Sequence, residues 1–222
     1  MAAPRLWSWH LSPFAGRVRI AAAVTGTELD LIEIDPVERP PRLRELNPTG
    51  RVPVLELGDT SGSDGGTIVR ESSAICDWLQ DVRSGPSLWP EDPARRAAAR
   101  GLMRWLDDEI LISFFLSFRK EAFGPGDSDP PDIVERLRAR LMRRWPKLEA
   151  ELARGGSPWL AGAPEPTLAD LSGMPLAVRI PQWGPQLAPP PELVRVNAWL
   201  EALRAHPAIG EVKRRGRPAA EL

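Results

Sequence analysis

The chain has no tyrosine and only one cysteine, Cys76, among its 222 residues. A single cysteine excludes an intrachain disulfide framework and a cysteine-based metal site, and it is typical of a reducing compartment. We therefore expect a cytoplasmic protein. The absence of tyrosine also removes one common hydroxyl group that activates nucleophiles in enzymes.

An excess of one charge and long apolar runs are absent as well. The 29 basic residues nearly balance the 30 acidic residues, and the formal net charge is -1. Nucleic acid is not predicted as a partner, because the chain has no global basic excess. A membrane is not predicted either, since no apolar stretch approaches the roughly 20 residues that span a bilayer. The basic run at residues 213–215 is interpreted as a frayed tail.

The first part of the chain alternates strand and helix patterns. Apolar and alternating runs predict strands at residues 5–9, 29–34, 54–57 and 67–70. Helices are predicted from Pro13 to Gly26, with Ser12 as the cap, and at residues 42–46 and 72–82. The first two strands flank a helix and should be parallel, whereas the last two should form a hairpin. This order predicts an α/β thioredoxin-like domain at residues 1–83.

The rest of the chain is helical in pattern after a proline-rich linker at residues 84–92. Helices are predicted at residues 94–123, 132–154 and 192–204, and Pro146 is expected to kink the second of them. Thr167 and Asp170 form a capping box that begins a further helix. We expect residues 93–222 to form a separate all-α domain.

Two short motifs in the first domain suggest a ligand with the shape of a small peptide. The bond between Val52 and Pro53 follows a Pro-Gly turn and is a candidate for a cis peptide, which would leave the backbone of Val52 exposed. Glu71 and Ser72 begin a helix, where amides and the helix dipole favour a bound anion. On its own, the second motif is more often a helix N-cap than a ligand site, and the preceding Val52-Pro53 pair favours the ligand site.

Ser12 is open to two interpretations. It lies between the first strand and the first helix, where its hydroxyl can cap the helix for about 1 kcal/mol. The same hydroxyl can instead donate a hydrogen bond to a sulfur atom and stabilise a thiolate there, with help from the helix dipole. Two other reactive side chains are interpreted structurally: His10 as an incidental exposed histidine rather than a base, and Cys76 as a buried thiol.

Four segments of the sequence resemble the cytosolic glutathione transferases in order and spacing across nearly the whole chain. The segments are S-P-F-A-G-R-V-R-I-A, N-P-T-G-R-V-P-V-L, E-S-S-A-I and W-L-A-G-A-P-E-P-T-L-A-D. The S-P-F-A segment is similar to the C-P-F-A segment of the omega class, with Ser12 in place of the cysteine. The longer stretch from Ser12 to Ala21 is similar to the serine-containing zeta class. The resemblance implies the glutathione transferase fold, a thioredoxin-like domain followed by an all-α domain.

The resemblance also implies a set of roles. Ser12 would stabilise the glutathione thiolate, Arg39 would meet the glycyl carboxylate, and Val52 would pair with the cysteinyl backbone. Glu71 would meet the γ-glutamyl ammonium and Ser72 its carboxylate. Phe14 and Pro53 complete the glutathione-binding set. Glutathione would be the co-substrate, with no metal or organic cofactor, and the protein would be a homodimer.

Three functions are consistent with these residues. The first is a transferase that conjugates the glutathione thiolate to small hydrophobic electrophiles. The second is a zeta-like glutathione-dependent cis-trans isomerase, and the third is a non-enzymatic binding module with the same fold. Disulfide exchange is disfavoured, because the serine at position 12 cannot form a mixed disulfide.

Overall fold

The computed structural model describes residues 3–60, 65–124, 126 and 129–219. The chain divides into two compact units. Unit 1 contains Met1–Leu88 together with Gly210–Leu222, and unit 2 contains Trp89–Ile209. The predicted division placed residues 210–222 with the helical domain, and the structure differs from it there.

Unit 1 is built around a five-stranded sheet with the order β4-β3-β1-β2-β5. β1 and β2 are parallel, and β3 is antiparallel to both β1 and β4. The parallel first pair and the terminal hairpin confirm the predicted thioredoxin-like arrangement. The strands are β1 (Arg5–Ser8), β2 (Asp30–Glu33), β3 (Val54–Leu57), β4 (Thr67–Arg70) and β5 (Arg217–Pro218). The helices of this unit are α1 (Pro13–Thr25), α2 (Pro41–Leu46) and α3 (Ser72–Asp81).

Helix α1 begins and ends where its capping residues predict. Ser12 accepts a hydrogen bond from the amide of Ala15, and Gly26 ends the helix in the left-handed conformation at φ 71°. Every residue from position 15 to position 22 is buried, including Arg17 and Arg19. A helix that is covered on all sides shows little amphipathic pattern.

The C-terminal residues of the chain pack with the first unit. β5 lies parallel to β2, with Ile32 opposite Arg217. The side chain of Arg217 contacts Asp30 through two hydrogen bonds, at 3.1 and 2.7 Å. The prediction of a frayed tail at residues 213–215 is therefore wrong, because Glu211 and Val212 before that run are bonded to Arg19 of α1 and β5 after it pairs with the sheet.

Unit 2 is helical. The α-helices described in this unit are α4 (Pro93–Leu106), α5 (Ile112–Phe123), α6 (Ile133–Met142), α7 (Trp145–Arg154), α8 (Leu168–Leu171), α9 (Met174–Trp183) and α10 (Val194–Ala205). A π-helical turn, Asp107–Leu111, joins α4 to α5. The helix predicted at residues 132–154 is two helices, because Pro146 has no amide hydrogen and fits best in the first turn of α7.

The predicted capping box is present at the start of α8. Thr167 and Asp170 bond reciprocally to each other's backbone, and Asp170 is fully buried. The Asp170 carboxylate also accepts hydrogen bonds from the amide of Leu160, at 2.8 Å, and from Nε1 of Trp199, at 3.0 Å. One carboxylate thus joins α8, the preceding loop and α10. In the described ranges, no helix is long and apolar enough to cross a membrane.

Candidate functional site

The strand register of unit 1 brings three predicted segments to one end of the sheet. Trp7 on β1 lies opposite Val54, and Val54 lies opposite Arg70. The end of β1, the start of β3 and the end of β4 are therefore neighbours. Ser12 follows β1, the Val52-Pro53 bond precedes β3, and Glu71 with Ser72 follows β4.

Ser12 is held in a tight turn at this end of the sheet. Its amide donates to the carbonyl of Trp9 at 2.9 Å, and its side chain is 6% exposed. The hydroxyl oxygen accepts from the amide of Ala15 at 3.2 Å. A hydroxyl that accepts one hydrogen bond keeps its own hydrogen available as a donor. The capping role of Ser12 and a role as donor to a thiolate are therefore compatible.

The turn that carries Val52 has the predicted backbone. The Val52-Pro53 peptide bond is cis. The paired residues of β3 begin at Val54, so Val52 lies outside the strand ladder. The side chain of Asn47 donates to the carbonyl of Arg51 at 2.9 Å and supports the turn from within.

Arg39 packs against the same turn. A Cβ placed on Gly50 would lie 3.4 Å from both Cδ and Nη1 of Arg39, so the arginine side chain runs alongside the glycine. Its Nε donates to the carbonyl of Pro36 at 3.0 Å. This position puts a positive charge beside the segment that leads to Val52.

Glu71 has an unusual backbone conformation, with φ 69° and ψ 127°. It occupies the N-cap position of α3, yet its side chain makes no capping hydrogen bond in the described structure. Ser72 is the first residue of the helix and is 7% exposed. The alternative interpretation of this motif as an ordinary side-chain cap therefore has no support from Glu71.

Sequence reasoning missed Arg17. This arginine is buried on α1, and its Nη1 donates to the hydroxyl of Ser72 at 3.3 Å. Its guanidinium carbon also lies 5.6 Å from the centre of the Phe14 ring. Arg17 thus connects Phe14 with the first residue of α3. The signal in the sequence was a pair of arginines inside an otherwise apolar helix.

His10 is half-buried, so the interpretation of an exposed histidine is wrong. Its Nδ1 lies 2.6 Å from Oε1 of Glu33, and its Nε2 lies 3.0 Å from Nη2 of Arg215. Because a guanidinium only donates, Nε2 must accept and the hydrogen must be on Nδ1. Both ring nitrogens have partners, and this arrangement does not present His10 as a base.

A buried carboxylate supports the sheet next to the site. Glu56 on β3 accepts from Nε1 of Trp7 at 2.5 Å and from Arg42 on α2 at 3.1 Å. Burial opposes ionisation of Glu56, but hydrogen bonds from Thr60, Trp7 and Arg42 outweigh it and lower its pKa. Glu56 is therefore ionised at neutral pH and holds β1, β3 and α2 together.

A cavity of about 370 Å³ opens elsewhere in unit 1. Its lining includes Arg19 and Ala22 of α1, residues 27–31, Glu211 and Arg214. None of the predicted glutathione residues lines this cavity. In the part of the chain that the structure describes, no group of three or more His, Cys, Asp or Glu side chains is placed to hold a metal ion.

Comparison with known proteins agrees with this architecture. Residues 6–87 match the family model described as "Glutathione S-transferase, N-terminal domain". A glutathione S-transferase of Pseudomonas putida is 30% identical over 169 residues, covering 75% of this chain and 70% of that protein. The chain belongs to the glutathione S-transferase family.

Other members of the glutathione S-transferase family match almost the whole chain. A probable maleylacetoacetate isomerase of Caenorhabditis elegans is 29% identical over 209 residues, which cover 91% of this chain and 90% of that protein. The solved structure of a glutathione S-transferase domain-containing protein from Marinobacter aquaeolei has a TM-score of 0.77 at 25% identity, covering 92% and 99% of the two chains. Glutathione is the co-substrate of this family. The predicted fold, a thioredoxin-like domain with a helical C-terminal region, is confirmed.

Proposed function

We propose that the protein is a serine-type glutathione transferase that conjugates the glutathione thiolate to small hydrophobic electrophiles. The observation that carries this proposal is the convergence at one end of the sheet. A buried serine hydroxyl, a turn outside the strand ladder and the start of α3 meet there. These groups match the sulfur, the peptide backbone and the anionic end of glutathione.

Each part of glutathione has a proposed partner. The N–H and C=O of Val52 pair with the cysteinyl backbone, as in strand addition at a sheet edge. The Glu71 carboxylate binds the γ-glutamyl ammonium, and the hydroxyl and amide of Ser72 bind the γ-glutamyl carboxylate. Arg39, which lies along the turn, binds the glycyl carboxylate. Phe14 and Pro53 form apolar contacts beside the tripeptide.

Ser12 supplies the chemistry in this proposal. A thiolate is a far better nucleophile than a thiol, so the site must favour the charged form of glutathione. The Ser12 hydroxyl donates to the sulfur, and the positive end of the α1 dipole adds to the stabilisation. The electrophile then accepts a new bond from sulfur while its leaving group departs with the electron pair.

The isomerase is the second candidate. It is favoured by the similarity to a relative named as a probable maleylacetoacetate isomerase along almost its whole length. In this reaction the thiolate adds to a cis-configured dienoic acid, the chain rotates about the resulting single bond, and glutathione leaves again. The same Ser12 hydroxyl serves both reactions. Net consumption of glutathione distinguishes them.

We further propose that the protein is a homodimer in the cytoplasm, as is typical of the family. A single, buried cysteine fits a reducing compartment. Sedimentation equilibrium of the purified chain tests the first part: twice the chain mass of 24.5 kDa supports the dimer, and the chain mass alone refutes it.

Substitutions at Ser12 separate catalysis from helix capping. Ser12→Gly removes the hydroxyl but costs only a few tenths of a kcal/mol as a cap, whereas Ser12→Thr keeps both functions. We expect Ser12→Gly to raise the apparent pKa of the bound glutathione thiol by about one unit, a tenfold loss of thiolate at neutral pH. The thiolate absorbance as a function of pH, and kcat/KM with an aryl halide, are the measurements. Equal activity in Ser12→Gly and the wild type would rule out the thiolate role.

The same assays decide between the candidate functions. Turnover of a cis-dienoic acid without loss of glutathione selects the isomerase. Glutathione binding by calorimetry without turnover of either substrate selects the non-enzymatic module. Failure of the wild-type protein to bind glutathione refutes both enzymatic candidates and favours the non-enzymatic binding or interaction module.

A further inference from the structure

Arg19 is a buried arginine that contacts two distant parts of unit 1. It is 2% exposed, and it lies on α1, the helix that Ser12 caps. Its Nη1 donates to Oγ of Ser8 at 2.5 Å, and its Nη2 donates to the carbonyl of His10 at 3.3 Å. Ser8 is the last residue of β1, and His10 lies within the turn that carries Ser12.

The remaining hydrogen bonds of Arg19 go to the C-terminal part of the chain. Nε donates to the carbonyl of Glu211, and Nη2 donates to the carbonyl of Val212, both at 2.9 Å. The planar guanidinium presents its donors in a fixed fork, so the two groups of acceptors must keep one geometry relative to each other. Movement of either group would break hydrogen bonds of the buried guanidinium.

The charge of Arg19 is kept in spite of burial. Burial lowers the pKa of Arg19 to about 10, while the negative charges of Glu33 and Glu211 act in the opposite direction. The guanidinium is therefore ionised at neutral pH. A buried charge is tolerated only when its hydrogen bonds are satisfied, and here neutral carbonyl and hydroxyl oxygens satisfy them.

A second connection joins the same two segments on the protein surface. Arg215 donates to Nε2 of His10, while the amide of Gly216 donates to Glu33 at 3.4 Å. Since Glu33 also bonds to the backbone amide of His10 at 2.8 Å, the residues before Ser12 are contacted by the C-terminal segment from two directions.

We infer that Arg19 is a positioning residue that couples the C-terminal segment, residues 210–219, to the turn carrying Ser12. The C-terminal segment then helps to set the position of the Ser12 hydroxyl, although it is remote in sequence. The catalytic consequence rests on the proposed function of Ser12. The mechanical coupling between the two segments is independent of that proposed function, and it is testable without glutathione.

The first test is hydrogen exchange measured by mass spectrometry on the protein alone. Arg19→Lys keeps a positive charge but replaces the fork with a point charge that cannot reach all four acceptors. We expect exchange to become about tenfold faster in both residues 8–12 and residues 210–219, because the opening equilibrium of each segment becomes about tenfold more favourable. Arg83→Lys is the control, because Arg83 is an exposed arginine of unit 1 whose Nη1 donates to the carbonyl of Gln80, outside both segments. It should leave exchange in residues 8–12 and 210–219 unchanged.

The second test is the pKa of bound glutathione. In Arg19→Lys we expect the thiol pKa to rise by about one unit and kcat to fall, with little change in KM for glutathione. Arg83→Lys should leave the thiol pKa unchanged. Ser8→Ala is a milder variant that removes one acceptor, and it should change the exchange of residues 8–12 and the thiol pKa in the same directions.

The outcomes separate this inference from the proposed function. Loosened segments with an unchanged thiol pKa would mean a purely structural role and would refute positioning. Unchanged exchange in both Arg19→Lys and Ser8→Ala would refute the coupling itself. A wild-type protein that forms no thiolate would refute the role of Ser12, and exchange in residues 8–12 alone would then decide whether Arg19 holds that turn.

Discussion

At the scale of single residues, Glu71 shows a backbone conformation that a non-glycine residue rarely adopts. Its φ of 69° is a backbone conformation that costs a non-glycine residue on the order of 1–3 kcal/mol. The next residue begins α3, so this backbone turns the chain from β4 into the helix. A glycine would relieve the strain but would remove the carboxylate that we propose for the γ-glutamyl ammonium. In that proposal, Glu71 favours glutathione binding at the expense of stability.

Substitutions of Glu71 should separate stability from binding. We expect Glu71→Gly to be more stable than Glu71→Ala by about 1 kcal/mol, because alanine retains the steric cost of a positive φ. Both variants should lose most of their affinity for glutathione. Urea unfolding and calorimetry are the two measurements. A Glu71→Ala protein as stable as Glu71→Gly would contradict the strain argument.

Other single residues show what sequence can and cannot predict. Ser12 and Gly26 were predictable as caps because their roles depend on neighbours along the chain. Arg17 and Arg19 were not, because their partners lie far away in sequence: Ser72 is 55 positions from Arg17, and Glu211 is 192 positions from Arg19. A local pattern records that a helix contains arginines, but not that it is buried on every side.

At the scale of elements, the capping box of α8 depends on one buried carboxylate. Removing Asp170 leaves the amides of Leu160 and Thr167 and the indole N–H of Trp199 without their acceptor. Each buried donor without a partner costs about 1–3 kcal/mol. The capping box of α8 therefore contributes more to the free energy of unfolding than an exposed cap of the same chemistry.

We expect Asp170→Ala to lower the free energy of unfolding by roughly 3 kcal/mol or more. Asp92→Ala is the matched control, since Asp92 caps α4 through the amide of Arg95 while remaining exposed. It should cost about 1 kcal/mol. Urea unfolding followed by tryptophan fluorescence measures both. Similar losses in the two variants would show that burial of Asp170 adds nothing.

The attachment of β5 to β2 should depend on pH. The hydrogen bond from Arg217, aided by its positive charge, lowers the pKa of Asp30. The unfolded-state pKa of aspartate is about 3.9, so the stabilisation is complete above that pH and is lost as pH falls through the lowered folded-state value. We expect the stability difference between the wild type and Asp30→Asn to be constant at neutral pH and to vanish in acid.

A double-mutant cycle checks that assignment. Asp30→Asn and Arg217→Ala should each reduce the stability at neutral pH, and the double variant should lose less than the sum of the two. Additive losses would indicate that the two side chains act independently. A stability difference that persists unchanged to low pH would contradict the role of Asp30 ionisation.

The elements also show where tertiary context overrides local pattern. The strands β3 and β4 appear at the predicted residues, because alternation and turn residues define short strands well. The helix predicted at residues 132–154 divides at Arg143 and Arg144, since Pro146 fits the start of a helix better than its interior. No alternation of apolar and polar residues predicts β5, because this strand covers only two residues and is defined by its pairing with β2.

At the scale of the whole molecule, ligand binding in unit 1 should protect the one cysteine. Cys76 is fully buried on α3, the helix that begins with Ser72. A thiol reagent therefore reacts with it only after unit 1 opens. A ligand that binds only the folded unit reduces the open population by the factor 1 + [L]/Kd.

We expect S-methylglutathione, which has no thiol to consume the reagent, to slow labelling of Cys76. At a ligand concentration of 100 times Kd the rate should fall about 100-fold. Ser72→Ala, which weakens the proposed carboxylate contact, should shift the protection to higher ligand concentrations. Labelling that is independent of the ligand in the wild type would place the binding site outside unit 1.

The discontinuity of unit 1 has a consequence for the way the protein is made. Arg19 and Glu211 are 192 positions apart, and all of Trp89–Ile209 is synthesised between the two parts of the unit. Until residues 210–222 are synthesised, the outer edge of β2 has no partner strand, and Arg19 lacks the carbonyls of Glu211 and Val212 as acceptors. Unit 2 has only local sequence to assemble and is free to fold first. Unit 1 is thus begun first and completed last, after unit 2 has been synthesised. Until then the unpaired edge of β2 is exposed to aggregation.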